Sequence, residues 1–155
     1  MRARFVLLGV ALLASLAACG SEPARDAADS HPAADTAAVG VRVSDSSLGP
    51  ILTDQSGRTL YAFVRDSGGA STCADQCVAT WPALVSRDAV SAGAGADQKL
   101  LSRTTRAEGT TQASYGKWPL YYYAGDLGPG DVDGQGVDGV WFAIGRDGTL
   151  VKATP

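Results

Sequence analysis

Two heptapeptides in this chain align without a gap: Leu60-Tyr61-Ala62-Phe63-Val64-Arg65-Asp66 and Leu120-Tyr121-Tyr122-Tyr123-Ala124-Gly125-Asp126. Both read Leu-Tyr-x-aromatic-x-x-Asp. A duplicated strand of this kind constrains the fold strongly, because one core has to accommodate the same side-chain pattern twice. In the first copy Leu60, Ala62 and Val64 share one face and Tyr61 and Phe63 the other, so both faces carry bulk. A strand with that pattern is covered on both sides. Trp81-Pro82 and Trp118-Pro119 form a second shared dipeptide, which follows the first motif but precedes the second. The expected organisation is two related strand units in one domain, each too small to fold alone.

The rest of the domain fits a mainly β architecture. Runs rich in β-formers recur at 39–43, 50–53, 59–65, 100–105, 110–115, 119–124, 140–145 and 149–152. Gln55-Ser56-Gly57, Glu108-Gly109 and Asp147-Gly148 sit between such runs and read as hairpin turns. Frequent turns between short strands predict a small antiparallel sandwich or barrel-like sheet. One short helix is expected near 73–81, with Thr72 as N-cap, Asp75 as its partner and Pro82 as the stop. Residues 88–98 read as a flexible loop.

Upstream of the domain the sequence is of a different kind. Arg2 and Arg4 precede an apolar run from Phe5 to Leu16, too short for a spanning helix of roughly 20 residues. This is the pattern of an export signal. It ends in Leu16-Ala17-Ala18-Cys19, which resembles the bacterial lipobox; the resemblance implies diacylglycerol on the Cys19 thiol and cleavage just before it. The expected divisions are a signal peptide over 1–18, a lipidated cysteine and tether over 19–38, and a β domain over 39–155. Residues 20–38 hold no large apolar side chain and cannot offset their own ordering entropy. Two acyl chains suffice for stable anchoring to a membrane.

Loss of Arg2 and Arg4 with the signal would take the net charge from −3 to −5, which argues against nucleic acid as a partner. The only histidine is His31, in the tether, and the only methionine is Met1. A Ser-His-Asp or Cys-His arrangement therefore has no imidazole in the domain. Ordinary catalytic zinc, His/Met haem and blue copper lack ligands. No phosphate-binding or dinucleotide loop is present, so no cofactor is expected. Carboxylates are the main enzymatic route left.

The chain resembles the secreted-repeat family of predicted bacterial lipoproteins, which carries a repeated Tyr-x-(Phe/Trp/Tyr)-x-x-Asp motif. The resemblance runs from about Leu48 to Gly148 and rests on Gly57-Arg58-Thr59-Leu60-Tyr61-Ala62-Phe63, Ser71-Thr72-Cys73, Cys77 and Trp81-Pro82 in the first half. In the second half it rests on Pro119-Leu120-Tyr121, Ala124-Gly125-Asp126, Gly134-Gln135-Gly136-Val137 and Trp141-Phe142. It implies a cell-envelope location and supplies no reaction.

Several motifs admit more than one role. Four helical steps would set Cys73 and Cys77 about 6 Å apart at Cα, within reach of a disulfide, which is preferred to a redox dithiol or a metal pair. Asp66 and Asp126 are expected to accept hydrogen bonds from turn N–H groups, with paired catalytic carboxylates as the sharper alternative. The segment from Asp131 to Asp138 begins like a calcium loop, but Gln135 stands at position 5 and Phe142 where the bidentate Glu belongs, so no metal is expected. Tyr115, Trp118, Tyr121, Tyr122 and Tyr123 should be mostly core, with Tyr122 facing away from Tyr121 and Tyr123. An exposed member could seat a sugar or peptide. The leading functional expectation is a non-catalytic envelope module that binds an envelope protein or glycan. The alternatives are a carboxylate-based enzyme acting on envelope glycans and an accessory to extracytoplasmic electron transfer.

Overall fold

The structure is a computed structural model that describes residues 39–155 apart from Ser67. The signal, Cys19, the 19–38 tether and His31 lie outside the described residues. Strand β1 (Gly40–Ser46) turns at Ser47-Leu48 into β2 (Gly49–Asp54), with Gly49 in the left-handed region at φ 86°. Asp54 then caps the next turn. Its Oδ1 accepts from the Ser56 and Arg58 amides at 2.8 and 3.0 Å, which leads the chain into β3 (Tyr61–Phe63). The second half repeats this course: β5 (Leu101–Thr105) pairs antiparallel with β6 (Thr111–Tyr115) across a turn at Gly109, and β7 (Trp118–Pro119) precedes the second motif.

The two halves meet through their motif strands. Tyr61 and Tyr121 form an antiparallel bridge, each amide donating to the other's carbonyl at 2.8 and 3.0 Å. On the outer side of β3 lies β8 (Trp141–Ala143), with Tyr61 opposite Ala143; on the outer side of the second motif lies Ala83, opposite Tyr121. The hairpins attach at the ends of this row. The Leu52 amide donates to Ile144 and the Ala113 amide to Leu84, both at 2.8 Å. A shift of sixty residues carries Tyr61 to Tyr121, Leu84 to Ile144 and Ala83 to Ala143. The domain is thus two copies of one unit related by a local two-fold, and each copy completes the other's sheet.

That row divides two apolar layers. Leu60, Ala62, Leu120 and Tyr122 pack into one with Val41, Leu52, Tyr115, Trp118 and Ile144. Tyr61, Phe63, Tyr121 and Tyr123 pack into the other with Ile51, Cys73, Trp81 and Trp141. The expectation that the first motif strand is covered on both faces holds, as does the placing of Tyr122 away from its neighbours. Full burial of each such side chain contributes about 1.5–3 kcal/mol, so both layers matter to stability.

The fold is mainly β, as the sequence predicts: three small sheets in orders β2-β1-β4 (β4 being Ser91–Ala92), β3-β8 and β5-β6-β7, with no closed barrel among the described residues. Several finer expectations need correction. The short helix expected near 73–81 is α1 (Gln76–Thr80), but Thr72 does not cap it. The Thr72 amide and hydroxyl both bind Asp66 Oδ1, at 2.7 and 2.8 Å, which holds Thr72 and the following Cys73 outside the helix. The 88–98 loop contains β4 (Ser91–Ala92), parallel to β1, and runs into a 3-10 turn at Gln98–Leu100. Residues 119–124 are not a continuous ladder, because Tyr121 bridges on both sides only as a single residue. Residues 149–152 make one bridge, Leu150 to Ile144.

Candidate functional site

The second apolar layer holds the motif side chains and is the chemically distinctive part of the domain. Each motif tyrosine is hydrogen-bonded to the aspartate of the other copy. Tyr61 Oη donates to Asp126 Oδ2 at 2.8 Å, and Tyr121 Oη donates to Asp66 Oδ2 at 2.6 Å. The remaining carboxylate oxygens secure the loop after each motif: Asp66 Oδ1 takes Thr72, and Asp126 Oδ1 takes the Asp133 amide at 3.0 Å. Both aspartates are buried, at 4% and 6% exposure. The predicted turn-binding role is therefore present, and the tyrosine bonds are an addition that the sequence did not reveal.

The motif spacing follows from this geometry. Tyr and the aromatic two residues later share a face, and the chain then turns, with the Asp66 amide donating to Phe63 and the Asp126 amide to Tyr123. The turn brings each carboxylate back over the buried end of the partner's tyrosine. Gly134 fits against this centre because a Cβ there would lie 2.8 Å from Tyr61 Cζ and 3.0 Å from the Trp81 ring. Its amide donates to Tyr61 Oη at 3.2 Å.

Beside the tyrosines stands a column of four rings. Phe63 stacks on Trp141 at 4.3 Å and Trp141 on Trp81 at 3.8 Å and 3°, while Tyr123 lies against Trp81 at 4.5 Å with its ring tilted by 33°. Tyr61 meets Trp81 edge-on at 5.6 Å and Tyr121 meets Trp141 at 5.2 Å. The two tryptophans are sixty residues apart, so the true counterpart of Trp81 is Trp141. The Trp118 dipeptide is not a repeat element: Trp118 belongs to the other layer. Constant spacing, rather than a matching dipeptide, was the signal that identifies the pair.

The copies differ in their electrostatics. Tyr121 Oη lies 2.7 Å from Ser71 Oγ, which accepts from Arg106 Nη1 at 2.7 Å. The buried Arg106 also donates to the Cys73 carbonyl, Gln112 and Glu108, so a cation is close to the Asp66 pair. The Asp126 pair has Asp133 and Asp131 as neighbours instead. Burial, with those charges adding to it, pushes the Asp126 carboxyl above its ordinary range despite its bonds to Tyr61 and Asp133. Burial, reinforced by the partner carboxylate, holds both the Tyr61 and Tyr121 phenols protonated.

Cys73 and Cys77 are joined in a disulfide with Cα atoms 5.3 Å apart. The acidic segment is used structurally: Asp131 Oδ2 accepts from the Leu127 and Gly128 amides, and Gln135 holds the C-terminal stretch through the Val151 and Ala153 carbonyls. No group of three metal-binding side chains occurs among the described residues, and no helix among them is long and apolar enough to cross a membrane. Two surface hollows lie away from the tyrosine–aspartate centre. One of about 740 Å³ is lined by Ala96, Asp97, Leu100 and Arg146; one of about 430 Å³ is lined by Asp54, Leu84, Tyr122 and the exposed Val85.

The profile of a family described as a secreted repeat of unknown function matches the chain twice, at residues 42–85 and 102–144. These are the two structural copies. No curated protein and no solved structure matches the chain.

Proposed function

This chain belongs to the secreted-repeat family, and on that premise we propose that it is a lipid-anchored envelope module that binds or assembles another envelope component without catalysis. One observation carries the non-catalytic reading. Both motif carboxylates are buried and already hold a tyrosine hydroxyl and a loop amide, so neither is free to protonate or attack a glycan. A working acid–base pair needs access to substrate and a proton that can move to it. The anchor reading is supported by Leu16-Ala17-Ala18-Cys19, and the expected partner is an envelope protein or glycan. The surface assigned to that partner is the hollow beside Tyr122, whose rim carries Val85 at 46% exposure.

Three measurements test this. Cys19→Ala should abolish incorporation of a labelled fatty acid and leave unprocessed precursor; normal labelling would refute the anchor. A photo-crosslinking residue at Val85 should give a discrete adduct in intact cells. Turnover of an envelope glycan that Asp66→Asn or Asp126→Asn removes without lowering Tm would refute the non-catalytic assignment.

A further inference from the structure

The described residues contain no methionine, no histidine and, with Cys73 and Cys77 bridged, no thiol. The side chains that ordinarily absorb oxidative attack are therefore missing from the folded domain. Indoles and phenols are the next most easily oxidised groups, and here they are in contact. Tyr123, partly exposed, lies tilted against the buried Trp81 at 4.5 Å, and Trp81 stacks on the buried Trp141 and meets Tyr61 edge-on. Phe63 closes the far end of the column, and a phenyl ring is much harder to oxidise.

We propose that this column is a one-electron relay, passing an oxidising equivalent from the surface at Tyr123 through Trp81 to Tyr61, with Asp126 as the proton acceptor. The oxidant is an oxygen-centred radical of the extracytoplasmic space, and it gains the electron. The Tyr61 O–H bond breaks, its proton moves along the 2.8 Å hydrogen bond to Asp126 Oδ2, and a neutral tyrosyl radical and a carboxylic acid remain. Charge at the pair is unchanged apart from the electron that leaves. A phenol held protonated by burial can be oxidised readily only if a base is already positioned, because a phenol radical cation is strongly acidic. Both pairs have such a base, but they are not equivalent. Arg106 shares Ser71 with Tyr121, and its positive charge disfavours removal of an electron there. Asp126 has acidic neighbours, which favour both loss of the electron and uptake of the proton. Tyr61 is thus where the radical settles.

Flash oxidation of the purified protein by photogenerated tris(bipyridine)ruthenium(III), followed by transient absorption and freeze-quench spin resonance, tests the relay. The wild type should show an indole radical that decays into a tyrosyl radical, with slower conversion in deuterium oxide. Tyr61→Phe should remove most of the tyrosyl signal. Asp126→Asn, with near-UV circular dichroism unchanged, should slow conversion by about a hundredfold, the lower end of what a positioned base contributes. Conversion without an isotope effect overturns the proposal, as does a tyrosyl yield in Tyr61→Phe equal to wild type. If Tyr61→Phe does not fold, the isotope effect and Asp126→Asn decide: wild-type conversion rates in Asp126→Asn overturn it.

Discussion

If the motif works across the repeats, energetic coupling must follow the hydrogen bonds and not the sequence. Tyr61→Phe removes a buried hydroxyl that donates to a carboxylate and accepts from the Gly134 amide. A hydrogen bond to a charged group contributes about 1.5–3 kcal/mol, so a loss of about 2–3 kcal/mol is expected. Asp126→Asn keeps an oxygen for the Asp133 amide but offers the tyrosine an N–H group, leaving the phenol proton without an acceptor. It should cost about 1–2 kcal/mol. Once one partner is gone the second change removes little more, so the double-mutant cycle should give a coupling of about 1–2 kcal/mol. The same cycle on Tyr61 and Asp66, which belong to one motif but not to one hydrogen bond, should give under about 0.5 kcal/mol. Urea unfolding at constant m-value measures the wild type and all five variants. The pH dependence adds a signed check. The folded-state pKa of Asp126 is raised, so its contribution is fully present below the unfolded value and is lost as pH rises through the folded one. The cost of Asp126→Asn should therefore be larger in acid than at neutral pH. Coupling within a motif that equals or exceeds coupling between motifs would refute the cross-repeat lock.

Two further outcomes are expected. Joint replacement of Cys73 and Cys77 by Ser should lower stability by about 2 kcal/mol, the loop being short, and mass spectrometry of alkylated, unreduced protein should find no free thiol in the wild type. Gly134→Ala should cost about 1–3 kcal/mol in a thermal melt, because the added carbon meets the Tyr61 and Trp81 rings; a neutral result would mean that this loop can withdraw.

Alternation along Leu60-Tyr61-Ala62-Phe63 was enough to assign each side chain to one of two apolar layers, because a strand's period of two is a local property. The turns at Gly57 and Gly109 and the 73–77 bridge were legible for the same reason: each is decided within a few residues. The helix was legible only in part. Asp75 and Pro82 marked its place, but Thr72 looked like a cap until the fold brought Asp66 against it. Of the pairing between the copies, the sequence contained the ingredients and not the assignment. Tyr61 has an identical aspartate five residues ahead and another 65 residues away, and the chemistry of the bond is the same for either. The Tyr61–Tyr121 bridge settles the choice. It sets the motif strands antiparallel, and each turn then carries its carboxylate away from its own tyrosine and onto the partner's.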